Sequence, residues 1–352
     1  LEVGWQCTGN GFVFNSQTES WENMASLLAG KERQYACAFA YNGLGYMLGG
    51  INCSNTCLND FWQYNPVNNS WSALPDFPGT ARQGMSYFIL NGKAFITGGK
   101  FTDGTITAEV WEYNFSNGNW TQKNNLPFNG MWRGSAFEIF GTAYVCFGKT
   151  NSGNYNRKIY RYHATNDTWQ EYTNIHLPAL NYIGTGVGSG KALLYGGQDS
   201  LGAITNSLYV FNPADSSLNT FAGIPTLGRK GGMAFSIGQV LYISTGLDAS
   251  PARTRETWKN DYFVGFREQP LTENSVKMYP NPCRSTLLIE LENETINLIQ
   301  ICDLSGKIVL EKSFISFETK ISMNVSEIPR GCYLVKMNVK NKLFVKKLML
   351  IN

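Results

Sequence analysis

A period of 49 residues runs through most of this chain. Short apolar or aromatic runs stop at Gly50, Gly99, Gly148, Gly197 and Gly246, each 49 residues after the one before. The runs that precede them, such as Tyr46-Met47-Leu48, Ala94-Phe95-Ile96 and Leu193-Leu194-Tyr195, have strand length and end on turn residues. A second signal keeps the same period from Tyr64 on, with one residue more before it: Phe14, Tyr64, Tyr113, Tyr162 and Phe211 are each followed seven residues later by Trp21, Trp71, Trp120, Trp169 and Leu218. Asn15, Asn65-Pro66, Asn114 and Asn212-Pro213 follow these aromatics and shape tight turns, so each pair spans a hairpin with its large side chains packed together. Two strands before the hairpin loop and two after it make a four-stranded unit. Strand-only units with large aromatics favour radial closure over a linear stack.

The hairpin signal at Phe14–Trp21 lacks its preceding strand pair, while five such pairs follow, and Asn260-Asp261-Tyr262-Phe263 repeats the pattern of Asn59-Asp60-Phe61-Trp62. Six units with an incomplete first one are expected, and five are the alternative. The stretch Leu1–Trp5 reads as the remnant of that first unit. Together, the pairs Gly49-Gly50, Gly98-Gly99 and Gly196-Gly197 and the segment Asn59–Pro66 with Trp71 resemble the kelch-repeat family, including the central propellers of galactose-oxidase-like proteins, over roughly residues 5–268. Phe147-Gly148 and Thr245-Gly246 depart from the glycine pair. The resemblance implies an all-β fold with a kelch-like propeller over residues 1–270.

The rhythm stops near Pro270, and a linker is expected over 271–276. Beyond it, Leu287–Ile289, Ile296–Ile301, Lys307–Leu310, Lys320–Val325, Cys332–Met337 and Phe344–Leu350 read as short antiparallel strands of a second unit, 277–352, packed as an immunoglobulin-like β-sandwich. Tyr279-Pro280-Asn281-Pro282, Asp303-Leu304-Ser305-Gly306-Lys307, Gly331-Cys332-Tyr333 and Lys346-Lys347-Leu348-Met349-Leu350, in that order, resemble the type A C-terminal sorting domain of the Bacteroidetes type IX secretion system. That resemblance implies the outer-membrane type IX secretion machinery as a partner and a secreted or cell-surface location. No basic segment followed by an apolar one opens the chain, so export expects a leader already removed.

Charge narrows the function. The net charge of +3 is confined to the C-terminal unit, since residues 1–270 carry 18 basic and 18 acidic residues, and no basic block there suits a nucleic-acid phosphate backbone. No 18-residue apolar run spans a membrane. Only His163 and His176 are present, neither in a Cys/His ligand pattern, so no metal or cofactor is expected, and a copper oxidase chemistry finds no ligands. Cys53 and Cys57 bracket a short loop that a disulfide can close.

For a ligand site, Arg33, Arg82 and Arg229 each stand 17 residues before a repeat glycine, and Arg133 stands 15 before Gly148. Shared phase brings such residues to one mouth of a propeller, where guanidinium groups bind carboxylate or phosphate in bidentate fashion, giving an acidic glycan or acidic protein segment as the expected ligand. Pairing of each arginine with an internal carbonyl or carboxylate is the competing expectation. Glu109, Asp199, Asp215, Asp248 and Glu256 are the acids available to a lyase, hydrolase or epimerase alternative, with turn chemistry as their ordinary role. Noncatalytic binding of a glycan or protein is the leading expectation.

Overall fold

The structure is a computed structural model in which residues 9–172, 174–238, 240–250, 252–260, 276–291, 296–303, 307–313, 320–339 and 342–351 are described. The opening stretch Leu1–Trp5, Asp261–Phe263, linker residues 271–275 and Gly306 lie outside the described residues. The chain separates into two compact units, Leu1–Val264 and Gly265–Asn352.

In the first unit the 49-residue period becomes a series of antiparallel sheets in a propeller-like arrangement. A two-stranded hairpin, Gly11–Asn15 and Ser20–Met24, comes first. The next sheet joins Cys37–Tyr41, Leu44–Asn52, Cys57–Asn65 and Ser70–Leu74, with Arg33–Gln34 paired onto the long second strand. Ser86–Leu90, Lys93–Thr97, Val110–Asn114 and Asn119–Lys123 form the second four-strand set, and Ser135–Ile139, Thr142–Cys146, Ile159–His163 and Thr168–Glu171 the third. Gly184–Gly188, Lys191–Tyr195, Ser207–Asn212 and Ser217–Ala222 form the fourth, and Met233–Ile237, Val240–Ser244 and Thr257–Asn260 a three-stranded fifth.

The seven-residue spacing has a direct structural meaning. Phe14 and Trp21, Tyr64 and Trp71, Tyr113 and Trp120, Tyr162 and Trp169, and Phe211 and Leu218 are opposed residues of five outer hairpins. Their rings meet at 5.1, 5.1, 4.8 and 4.7 Å in the four aromatic pairs, the range in which offset and tilted aromatic contacts are favourable. Cores form between successive sheets: Phe88 and Phe95 of the second set cluster with Val145 and Tyr162 of the third.

Successive sheets are also stitched by backbone. Gly50 N–H donates to Arg82 O at 2.9 Å, Gly99 to Met131 O at 2.8 Å, Gly148 to Leu180 O at 3.0 Å and Gly197 to Arg229 O at 2.9 Å. In the three glycine pairs the first residue is crowded: a Cβ on Gly98, which has φ +66°, would stand 2.1 Å from Met131 O. Phe147 and Thr245 occupy the same left-handed conformation, with φ 58° and 59°, where the repeat departs from glycine.

In the second unit, Val276–Tyr279, Thr286–Leu291 and Lys320–Asn324 form a three-stranded sheet, and Ile308–Ser313, Ile296–Cys302, Gly331–Val339 and Lys342–Leu350 a four-stranded one. Leu287 and Ile289 of the first and Ile299, Val335 and Leu348 of the second share one buried cluster.

The expected Cys53–Cys57 disulfide is not formed. Cys53 is disulfide-bonded, but Cys57 carries a free, buried thiol. Cys57 opens a strand with its backbone paired to Ile51 and its Sγ 3.5 Å from Lys100 O, so the thiol points inward, whereas Cys53 is exposed in the intervening turn.

Candidate functional site

Three of the four arginines are internal braces. Arg33 donates to Gly49 O at 3.1 Å and to both carboxylate oxygens of Asp60; Arg82 donates to Gly98 O at 3.4 Å and to Glu109; Arg229 donates to Thr245 O at 3.3 Å and to Glu256. Each carboxylate also accepts an indole N–H two residues further on, from Trp62, Trp111 and Trp258. Arg33, Arg82 and Arg229 are only 8, 1 and 2% exposed, so the expected cluster of four exposed guanidiniums does not exist. Burial works to raise the Asp60 pKa but is outweighed by hydrogen bonds from Arg33 and Trp62 and the charges of Arg33 and Lys31, leaving it below its usual value. Glu109 is lowered in the same way, with burial opposed by hydrogen bonds from Trp111 and Arg82. In the third and fourth sheets the brace position holds Met131 and Leu180, both buried.

Arg133 occupies a different place. Its 15-residue offset aligns it with Tyr35, Gly84, Tyr182 and Gly231, each 15 residues before a repeat glycine. All five have left-handed backbone, with φ of 60, 64, 53, 60 and 62° in chain order. A backbone chain links them across sheets: Gly84 N–H donates to Tyr35 O at 2.9 Å, Arg133 N–H to Gly84 O at 3.0 Å and Tyr182 N–H to Arg133 O at 2.9 Å. The inner strands that follow these residues are neighbours, and the five positions surround a cavity of about 170 Å³ lined by Tyr35, Gly84, Arg133, Tyr182 and Gly231 among others.

Within this mouth the Arg133 guanidinium lies between two phenol rings, 3.5 Å from the Tyr35 centroid and 4.3 Å from that of Tyr182. Its Nε and Nη2 atoms are buried without a hydrogen-bond partner. Burial lowers its pKa from the usual arginine value, with partial opposition from Tyr182 and Tyr35. A second cavity, of about 550 Å³, shares Tyr35 and Tyr182 and is lined also by Gln83, Lys100 and Trp132. Lys100 Nζ stands 4.2 Å over the Trp132 ring, and Lys230 Nζ 5.5 Å from the Tyr182 centroid. Burial lowers the Lys100 pKa, and the charges of Arg133 and Lys149 lower it further; Lys230 is lowered by burial and by Arg133. Among the described residues Arg133, Lys100, Lys149 and Lys230 form no ion pair, and no carboxylate lines either cavity. Gln83 Oε1 and Trp132 Nε1 in the larger cavity are buried and unpartnered. Gly84 makes room for that indole, since a Cβ there would lie 2.6 Å from Trp132 Nε1.

The acids proposed for catalysis have other occupations. Glu109 and Glu256 brace arginines, while Asp199, Asp215 and Asp248 accept turn amides from Leu201 and Ala203, from Ser217, and from Ser250 and Ala252. His163 contacts Gln170 on an outer hairpin. Among the described residues no group of three or more His, Cys, Asp or Glu is placed to hold a metal ion, and no helix is long and apolar enough to cross a membrane.

In the C-terminal unit, the Tyr279 hydroxyl donates to Glu290 at 2.7 Å, Asp303 Oδ1 accepts Lys307 N–H at 3.0 Å, and Tyr333, 7% exposed, donates to Pro329 O at 2.7 Å just after Gly331 opens the strand. Residues 277–352 match the family model for the secretion system C-terminal sorting domain, and residues 32–78 that for the kelch motif. The chain is a kelch-like propeller followed by a type IX secretion sorting domain. The sorting domain marks it for export, to be secreted or attached at the bacterial cell surface, with the outer-membrane secretion machinery as partner. Among solved structures, that of YjhT is similar at 15% identity and a TM-score of 0.60, covering 72% of this chain and 88% of that one. No curated protein matches significantly. With 536 solved chains matching, the fold alone cannot assign a ligand, so the function rests on the site.

Proposed function

We propose that this exported protein is a binding module whose axial mouth captures an anionic glycan, with Arg133 as the anchor. One observation carries the reading: the Arg133 guanidinium is buried between Tyr35 and Tyr182 with two nitrogens unpartnered, amid Lys100, Lys149 and Lys230 and, among the described residues, with no carboxylate lining the cavities. A carboxylate would satisfy those donors in a low-dielectric setting where charge-assisted hydrogen bonds are strong. Trp132 and Gln83 favour a glycan over a peptide, because an unpartnered donor and an unpartnered acceptor beside an aromatic face suit ring hydroxyls. Among the described residues no carboxylate pair of the kind a hydrolase uses lines this mouth, which favours binding over the enzyme alternative.

We read the ring as six-bladed, with the hairpin Gly11–Met24 as the outer half of the blade between the last and first full sheets. In support, Phe14 packs on Phe235 and Tyr242 at 6.1 and 5.0 Å, as Tyr162 packs on Phe88 and Phe95 at 5.8 and 5.4 Å and Phe211 on Phe137 and Tyr144 at 6.2 and 5.4 Å. On the other side, Trp71 donates to Ala25 O, as Trp169 donates to Asn124 O. An immunoglobulin-like sandwich is our reading of the C-terminal sheets, supported by their shared core.

The test is calorimetric titration of the purified protein with a galacturonic-acid trimer and with a neutral galactose trimer. Capture of the acidic trimer alone, weakened roughly 10-fold or more by Arg133→Met and by raised salt, is expected from loss of a charged hydrogen bond. Unchanged affinity in a folded Arg133→Met protein would refute the site.

A further inference from the structure

The sorting domain's opening motif and its last strand are fastened together by one side chain. On one edge, Lys342–Leu350 pairs along its length with Gly331–Val339. On its other edge Asn281 Nδ2 donates to Lys347 O at 2.7 Å, and Asn281 Oδ1 accepts Met349 N–H at 2.9 Å. Cys283 continues the seam in main chain, donating to Met349 O at 2.8 Å and accepting Ile351 N–H at 2.9 Å. Pro280 and Pro282 flank Asn281 and have no N–H to offer. The asparagine amide, with a donor and an acceptor in one plane, takes the place of a peptide unit there.

The clasped strand shows two different faces. Leu348 and Leu350 are 0 and 2% exposed, held in the core, while Lys347 is exposed and Met349 and Ile351 are 39 and 37% exposed on the outward face. Without the Asn281 amide, Lys347 O and Met349 N–H on that edge lose their partner, and the end of the strand opens more readily. We propose that the secretion machinery reads the terminal strand in its folded, clasped state, through the outward stripe Lys347, Met349 and Ile351, with Asn281 as the positioning residue. The occupant follows from the match to the sorting-domain family, which spans both clasp and strand. A strand already fixed in place spares the receptor the entropy of ordering a tail.

The test follows hydrogen exchange and export of the full chain in a secretion-competent cell. Asn281→Ala should speed exchange in a peptide covering 347–351 at least 10-fold, leave the strand 286–291 protected, and cut the exported fraction at least fivefold. Asn281→Asp, which keeps the acceptor and loses the donor, should fall between. Met349→Asp should impair export to the same degree with exchange unchanged, and it carries the test should Asn281→Ala fail to fold. Ile299→Val trims the same core away from the clasp, so it should lower Tm yet export normally. The proposal is overturned if Asn281→Ala exchanges like wild type, if it exports normally despite faster exchange, if Met349→Asp exports normally, or if Ile299→Val fails equally.

Discussion

Removing Glu109 should harm the propeller more than removing Glu109 and Arg82 together. Arg82 is 1% exposed, hydrogen-bonded to Thr80 O at 2.8 Å as well as to Gly98 O and Glu109, and its guanidinium carbon lies 5.0 Å from both the Phe77 and Phe101 rings. Glu109→Ala leaves that charge buried without its counterion, a change that costs about 3–5 kcal/mol in buried pairs. The Glu109 side chain is 27% exposed, so water screens part of the loss and about 3 kcal/mol is expected. For a unit of this size that lowers Tm by roughly 6–12 °C. The third sheet shows the brace position without an arginine: Met131 takes its place, buried, and Lys158, paired with Glu171, and Tyr160 stand where Glu109 and Trp111 do in the second. Arg82→Met/Glu109→Ala should therefore cost about 1 kcal/mol, giving a coupling of about 2 kcal/mol or more in a double-mutant cycle read by urea unfolding with tryptophan fluorescence. Costs that add within about 0.5 kcal/mol would show that the pair is not a unit.

Three further outcomes are expected. Asp60 and Glu109 have folded pKa values below their usual 3.8 and 4.5, so their stabilisation is complete above those values and is lost as pH falls through the folded ones; the urea midpoint should hold between about pH 5 and 7 and drop below about pH 4, less steeply in Asp60→Asn. Thr245, a β-branched residue at φ 59°, should gain about 1 kcal/mol on substitution by glycine, seen as a higher urea midpoint, and a loss there would show that its side chain matters more than its strain. A chain ending at residue 270 should melt cooperatively but stay inside the cell; its normal export would refute the role of residues 277–352.

Much of the fold is written at the spacing of single residues. The aromatic at one hairpin end and the tryptophan seven positions later become directly opposed because seven residues span a turn and return to the same rung, which needs no long-range information. The braces are half legible. Arg33, Arg82 and Arg229 share a phase, and so do Asp60, Glu109 and Glu256, each 27 residues later in the same three repeats, yet phase alone leaves open whether a guanidinium turns to the mouth or to its own sheet. Arg133 shares the arginine pattern but not the phase: its offset is 15 rather than 17, which puts it on the left-handed residue of the repeat, where the guanidinium meets Tyr35 and Tyr182 instead of a carboxylate of its own sheet. Cys53 and Cys57 illustrate the opposite limit, since their spacing permits closure but the strand that begins at Cys57 turns its thiol away.

The five axial positions separate what the fold requires from what it carries. Backbone geometry there is nearly uniform, with φ from 53 to 64°, and glycine satisfies it at Gly84 and Gly231. An arginine is therefore not needed to close the ring. Arg133 instead adds a left-handed non-glycine residue and two buried, unpartnered nitrogens, each a source of instability of about 1–3 kcal/mol. Its stacking between Tyr35 and Tyr182 returns about 1–2 kcal/mol. Met fits the same sandwich without polar atoms, so Arg133→Met should leave the urea midpoint unchanged or raise it while capture of the acidic trimer weakens roughly 10-fold or more. That opposition of stability and binding distinguishes a residue kept for a ligand from one kept for the fold. A Met variant destabilised by more than about 2 kcal/mol would make Arg133 a fourth brace, with the unpartnered nitrogens served by water in the cavity of about 170 Å³.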